Sequence, residues 1–179
     1  MLTEVQFEQL YNEHQKIVYN LCLNYVLNPE DAQDVTQEVF VKVYQRFHQY
    51  NSASASIKTW ICQIAINQSL DFLKAKKTNK RFGFLTSFFN PETNEPIEAA
   101  LHINHPGIVA EDKEGFDNLL SIIYTLPDNQ KTAIILTKIE DRSQKEVAEI
   151  MNTSVKAVES LLQRAKQSIA KKLTDTEGL

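Results

Sequence analysis

The spacing of apolar residues constrains this chain more than any other feature of its sequence. Apolar residues recur every three or four positions on both sides of the segment 78–113, and within that segment the recurrence stops. Such spacing predicts amphipathic helices rather than strands. We therefore expect an all-α fold with two small helical domains, at residues 1–78 and 114–179, joined by a linker at 79–113 that is too long for an ordinary loop.

The N-terminal domain is predicted to contain three long helices, at about 4–27, 29–49 and 57–77. Thr3 and Gln6 have the spacing of a capping box at the start of the first helix. Asn28 followed by Pro29 is typical of a helix N-terminus, since Asn accepts backbone N–H bonds and Pro suits the first turn. The short Ser- and Ala-rich loop 51–56 separates the second helix from the third, as in a helical bundle.

Membrane segments and cysteine motifs are both missing from the sequence. No apolar run approaches the roughly 20 residues of a membrane span, and the N-terminus is too acidic for a signal peptide. We therefore expect a cytoplasmic protein that does not insert into membranes. Cys22 and Cys62 lie inside apolar helical patterns without the spacing of a zinc site, so we interpret them as small buried residues and expect no cofactor.

Charged residues are arranged in blocks, and this placement matters more than the net charge of −4. Residues 1–50 carry seven acidic residues against three basic ones, whereas 51–81 carries six basic residues against one acidic. Residues 82–127 are acidic again, and 142–173 has seven basic residues against three acidic. A polyanion such as DNA can therefore be bound locally by a chain that is acidic overall.

The second basic block contains the pattern of a helix-turn-helix. Ser143 and Glu146 form a capping box that opens a two-turn helix. Asn152 is suited to a left-handed helix end, and Ser154 can cap a final helix that runs to about Leu173. The short first helix of such a motif crosses the DNA backbone, and the second enters the major groove.

A polar face lies opposite the apolar stripe of the final helix. Its Lys, Arg, Ser and Gln side chains can bond base edges and phosphates. Taken alone, the motif is equally consistent with the solvated face of a helical bundle. The candidate DNA-binding residues of this domain are Ser143, Lys156, Ser160, Gln163, Arg164 and Lys166.

The first basic block favours the DNA interpretation, because it lies in the other domain. A basic, amide-rich helix beside a polar loop suits opened or single-stranded DNA. Trp60 of this helix can stack on a base, but its place in the apolar stripe favours core packing. The candidate residues here are Lys58, Gln63, Asn67, Gln68, Asp71, Lys74, Lys76 and Lys77.

Three segments in this order carry a resemblance to a known family. They are DAQDVTQEVFVKVYQRF at 31–47, the pattern of Trp60-Ile61, Ile64-Ala65, Asn67 and Asp71, and the Leu-Pro turn followed by RSQKEVAEIMNTSVKAVESLLQRAK. Over nearly its whole length the chain resembles the extracytoplasmic-function sigma factors, a group of bacterial sigma factors. The resemblance implies a transcription initiation factor that binds core RNA polymerase and directs it to promoters.

The resemblance also implies roles for particular segments. The helix 57–77 would engage the minus-ten element, the loop 51–56 would receive a flipped promoter base, and the final helix would read the minus-35 element. The linker would thread toward the RNA exit path, and an anti-sigma factor would be a partner. A surface that docks on the coiled coil of the largest polymerase subunit would comprise Asp31, Asp34, Gln37, Glu38, Phe40 and Lys42.

The recognition helix departs from the family pattern. Family members commonly read Thr-Val-Lys-Ser-Arg-Leu where this chain has residues 157–162, AVESLL. Two basic residues are thereby lost, and Glu159 can repel a phosphate or accept a bond from a cytosine amine. The promoter sequence of the family therefore does not transfer to this chain.

The sequence leaves two alternative functions. Asp31, Asp34 and Glu38 share a helix face that could hold Mg²⁺ in an enzyme, but the facing helix 57–77 supplies only Asp71, too few oxygens for a hard cation. The pair His102 and His105 lacks further ligands nearby, so we expect neither catalysis nor a metal. The second alternative is a helix-turn-helix regulator with an N-terminal ligand or dimerisation domain, which predicts a pocket or an apolar seam instead of the basic face.

Overall fold

The computed structural model describes the backbone of residues 2–81 and 113–177, and the side chains of residues 2–77 and 119–174. Every regular element in these residues is helical, which confirms the predicted all-α class. The helices form two compact units, one at each end of the chain, except that residues 149–153 group with the N-terminal unit. Most of the predicted linker, and with it the pair His102 and His105, lies outside the described residues.

Three long helices make up the first unit, as predicted. They are α1 (Glu4–Val26), α2 (Pro29–Arg46) and α3 (Ile57–Arg81), with a 3₁₀ turn at Phe47–Gln49 after α2. The predicted caps are present: Thr3 Oγ1 accepts from Gln6 N at 3.3 Å, and Asn28 Oδ1 accepts from Asp31 N at 2.9 Å. Leu27 takes the left-handed conformation, φ 59°, so the chain turns sharply between α1 and α2.

The core of the first unit lies between these three helices and is apolar. Cys22 and Cys62 are 0% and 1% exposed, which confirms that both are buried. Burial raises the pKa of the Cys22 thiol, because the thiolate would lose its hydration. The largest fully buried side chains in this core are Tyr25, Leu21, Ile61, Val18, Val35, Val39 and Val43.

The second unit contains shorter helices and one long one. They are α4 (Lys113–Tyr124), α5 (Asp128–Ile134), α6 (Gln144–Ile150) and α7 (Val155–Glu177). The predicted helix from Asp128 to Ile139 is not regular, since a π-helical turn, Ile135–Ile139, follows α5. Glu140 N donates to Ile135 O at 2.9 Å, five residues back, and Thr137 Oγ1 donates to Ala133 O at 2.6 Å.

The second unit also has an apolar core. Val147 of α6 and Val158 of α7 are both completely buried, and so is Leu136 of the π-helical turn. The guanidinium of Arg142 lies 3.9 Å from the Glu140 carboxylate, and both side chains are largely buried. None of the described helices is long and apolar enough to cross a membrane.

Candidate functional site

The acidic face of α2 is largely open to solvent. Asp34, Gln37 and Glu38 are all exposed, and their spacing of three and four residues places them on one side of the helix. On the opposite side Val35 and Val39 are buried against α1 and α3, so the face cannot rotate. The structure therefore presents these three predicted docking residues together.

Asp31, the third acidic docking residue, is half-buried because it forms an ion pair with α3. Lys76 Nζ lies 2.6 Å from Asp31 Oδ2, and the two side chains are 14% and 21% exposed. The Lys76 ammonium also lies 5.6 Å from the centre of the Phe72 ring. The charge of Lys76, one of the predicted minus-ten residues, is thus directed toward α2.

Gln68 lies inside the first unit and connects α3 to α2. Its side chain is 8% exposed. The Gln68 amide donates to Glu38 Oε2 and accepts from Lys42 Nζ. Lys42 is half-buried by this contact. The expectation that Gln68 contacts DNA is therefore corrected: the amide bridges two oppositely charged residues of α2.

Phe40 is a core residue, which corrects its place among the surface residues. Its side chain is 3% exposed, and its ring centre lies 4.7 Å from that of Tyr11 and 6.4 Å from that of Phe7. Two apolar residues outside the predicted docking surface are exposed instead: Val41 at 53% and Tyr44 at 50%. Val41 follows Glu38 by three residues, and this spacing is the signal that places it on the acidic face.

Most of the other predicted DNA residues of α3 lie on its surface. Lys58, Asn67, Asp71, Lys74 and Lys77 are exposed, and Gln63 is half-buried. Lys74 Nζ lies 3.9 Å from Asp71 Oδ1, and both side chains are 66% exposed. An ion pair this exposed is weak, so it competes little with a phosphate for Lys74.

The loop before α3 is ordered by local hydrogen bonds. Ser56 Oγ accepts from Thr59 N at 3.1 Å and caps α3, and the Tyr50 hydroxyl donates to Ala55 O at 3.1 Å. Trp60 is half-buried, with its ring centre 5.4 Å from that of Tyr50 and 6.2 Å from that of Phe47. The indole thus packs in an aromatic cluster and keeps one part in solvent.

The helix-turn-helix caps are present as predicted. Ser143 Oγ accepts from Glu146 N at 3.3 Å, and the Glu146 carboxylate accepts from Ser143 N at 3.0 Å. Asn152 has φ 50° in the turn, and Ser154 Oγ accepts from Ala157 N at 3.2 Å at the start of α7. Ser143 is exposed at the N-terminus of α6, and its hydroxyl also donates to the Glu146 carboxylate at 2.7 Å.

The polar face of α7 points away from the core of its unit. Val158, Leu162 and Ala165 are buried, which fixes the rotation of the helix. The predicted DNA-binding residues on the other side are exposed, except for the half-buried Ser160: Lys156, Gln163, Arg164 and Lys166. This arrangement provides donors for bases and phosphates along about three turns of helix.

In the parts of the chain that the structure describes, no group of three or more His, Cys, Asp or Glu residues could hold a metal ion. Asp31 and Glu38, which the enzyme alternative would need, are instead bonded to Lys76 and Gln68.

Two family profiles match the chain in the order of its two units. The profile described as Sigma-70 region 2 matches residues 10–78. The profile described as Sigma-70, region 4 matches residues 116–169. Together the two matches cover well over half of the 179 residues.

Named relatives align with nearly the whole chain. The ECF RNA polymerase sigma factor SigW of Bacillus subtilis (strain 168) is 26% identical over 175 residues, which cover 94% of this chain and 89% of that protein. The ECF RNA polymerase sigma-E factor of Escherichia coli (strain K12) is 29% identical over 167 residues, covering 93% and 86%.

Solved structures share the fold. CnrH, in complex with the cytosolic domain of CnrY, matches with a TM-score of 0.62 at 19% identity, over 97% of this chain and 90% of that one. The sigma factor RpoE, in complex with the anti-sigma factor NepR from Bartonella quintana, matches with a TM-score of 0.64 at 16% identity, over 94% and 96%.

Proposed function

Because the chain belongs to the sigma-70 family, as an extracytoplasmic-function transcription initiation factor, we propose a division of labour between its two units. The first unit docks on core RNA polymerase through α2 and engages opened minus-ten DNA through α3. The second unit places α7 in the major groove of the minus-35 element. RNA synthesis is carried out by the polymerase, and we assign no chemical step to this chain.

The docking part of the proposal is supported by the composition of the exposed face of α2. Asp34, Gln37 and Glu38 offer acceptors and an amide, and the exposed Val41 and Tyr44 add an apolar element. Protein interfaces commonly combine an apolar centre with a polar rim. Asp31 and Lys42 contribute by holding α2 against α3, and Phe40 by filling the core beneath the face.

The minus-ten part is supported by the exposed residues of α3. Lys58, Lys74 and Lys77 supply positive charge for phosphates, and Asn67 supplies an amide for a base. Asp71 forms an exposed ion pair with Lys74, and Gln63 is half-buried. Gln68 and Lys76 are left out of the direct contacts, since both are bonded to residues of α2.

Two exposed surfaces of opposite charge support the minus-35 part and the proposal as a whole. A capped helix-turn-helix exposes Lys156, Gln163, Arg164 and Lys166 on one face of α7, and the same chain exposes an acidic helix face in a separate unit. A factor that binds core polymerase and promoter DNA at the same time needs two such surfaces, here one acidic and one basic.

Paired substitutions test the division of labour. Asp34→Arg should weaken binding to purified core polymerase by roughly tenfold, the effect of one well-placed interface residue, and leave promoter contacts intact. Lys156→Ala should reduce promoter-dependent initiation without changing core affinity. The measurements are a core pull-down without DNA and in vitro transcription. Glu8→Arg, at an exposed acid of α1, is the control for a charge reversal elsewhere. Equal losses of core affinity in Asp34→Arg and Lys156→Ala would contradict the proposal.

Regulation by a protein partner forms part of the proposal. Two solved structures that match this chain are complexes, one of CnrH with the cytosolic domain of CnrY and one of the sigma factor RpoE with the anti-sigma factor NepR. By analogy we expect an anti-sigma factor to restrain this chain in the cytoplasm. We place the two functional domains at 1–78 and 114–179, with the linker 79–113 directed toward the RNA exit path. The regulator with a ligand-binding N-terminal domain is not favoured, because residues 10–78 match sigma-70 region 2.

A further inference from the structure

One negative charge lies on the otherwise basic and amide-rich face of α7. Glu159 is exposed, three residues after Lys156 and four before Gln163, so the three side chains are neighbours on the helix surface. In the described parts of the chain the Glu159 carboxylate has no ion-pair or hydrogen-bond partner. It is the fifth residue of α7, within the N-terminal turns that contact base edges in helix-turn-helix proteins.

Buried neighbours on α7 fix the side of the helix on which Glu159 lies. The residue before it, Val158, is completely buried, and Leu162, three residues later, is 7% exposed. When α7 enters the groove, the carboxylate must therefore approach the bases or the phosphates. Phosphates repel it, and it loses hydration unless it accepts a hydrogen bond from the DNA.

Only some base edges can supply that bond. In the major groove the donors are the N4 amino group of cytosine and the N6 amino group of adenine. Adenine presents the N7 acceptor next to its donor, and N7 repels the second carboxylate oxygen. Cytosine presents its donor without a neighbouring acceptor on the same base. A carboxylate therefore matches cytosine best.

We infer that Glu159 is a specificity-determining residue that selects a cytosine, in one strand orientation, at one position of the minus-35 element. The inference rests on the proposed function, since it assumes that α7 reads this element. Lys156 and Arg164, exposed on the same helix, hold phosphates on either side and offset the repulsion that the carboxylate experiences.

A randomised promoter library tests the inference. Core polymerase and the full chain transcribe templates with a randomised minus-35 element, and the transcripts are sequenced. The wild type should favour a C·G pair at one position. Glu159→Gln should shift that position toward adenine, which Gln recognises, by on the order of tenfold in relative use. Glu159→Ala should lose the preference there and keep the others. Glu8→Gln, the same charge change on α1, should leave the profile unchanged.

Two different failures are distinguishable. If Glu159→Gln raises transcription equally across the library with an unchanged base profile, the carboxylate only repels phosphates and the inference is wrong, while the proposed function stands. If the wild type gives no core-dependent transcript from any template, the proposed function is wrong and the inference falls with it.

Discussion

At the scale of single residues, Gln68 shows how one amide can join two functional helices. It bridges Glu38 and Lys42 of α2 from inside the first unit. The signal for this burial was present in the sequence, because Gln68 follows the buried Ala65 by three residues and the buried Ile61 by seven. The sequence analysis places Gln68 on the surface because amides are mostly exposed, although its position on the helix favours burial. The periodicity of apolar residues predicts which face of a helix is buried, but it does not predict which polar residues on that face form hydrogen bonds.

Replacing this amide should cost stability. Gln68→Leu leaves the Glu38 carboxylate and the Lys42 ammonium without their shared partner, so the free energy of unfolding should fall by about 1–3 kcal/mol. Urea denaturation followed by circular dichroism measures it. Asn67→Leu, at the adjacent exposed position, should change stability by less than about 0.5 kcal/mol. Equal effects of the two substitutions would show that the bridge contributes nothing.

At the scale of helices and turns, the starts of helices were more predictable than their ends. The caps at Thr3, Asn28, Ser143 and Ser154 are all present, because each is a local bond between near neighbours. The third helix continues to Arg81, beyond the predicted Lys77, since no Gly or Pro stops it before Gly83. The π-helical turn at Ile135–Ile139 was not predicted. It depends on how residues after α5 pack, which spacing alone does not encode.

The capping box of α6 should matter for the helix-turn-helix. Ser143→Ala removes the acceptor for Glu146 N at the start of a seven-residue helix, so the second unit should lose about 1 kcal/mol. Thermal unfolding of the whole chain measures the loss. Gln144→Ala, at the next exposed position, provides the comparison, and an equally large effect there would rule out the cap as the cause.

At the scale of the whole molecule, the sum of charges says little about what the chain binds. The net charge is −4, yet α7 exposes Lys156, Arg164 and Lys166 on one surface and α2 exposes Asp34 and Glu38 on another. The order of these surfaces could be predicted from charge blocks and family resemblance. The pairing of Gln68 and Lys76 with residues of α2 could not, because side-chain contacts between α2 and α3 depend on distances that a linear pattern lacks.

The salt dependence of promoter binding should report the number of phosphates that the chain contacts. Holoenzyme binding to promoter DNA should weaken as salt increases, and Lys166→Ala should reduce the log–log slope by about one if this lysine neutralises one phosphate. Fluorescence anisotropy of a labelled promoter at several salt concentrations measures the slope. Lys16→Ala, at an exposed lysine of α1, should leave the slope unchanged, and an unchanged slope for Lys166→Ala would remove it from the DNA surface.

The ion pair between Asp31 and Lys76 should also make the two positions vary together among related proteins. Both side chains are mostly shielded from water, so a mutation that removes one charge strands the other in an unfavourable environment. Natural variants should therefore replace the two residues jointly, with both neutral or with the charges exchanged. Although the two positions are 45 residues apart in the chain, they would covary as strongly as residues in adjacent contact. The docking helix α2 and the DNA helix α3 would then change together among related proteins.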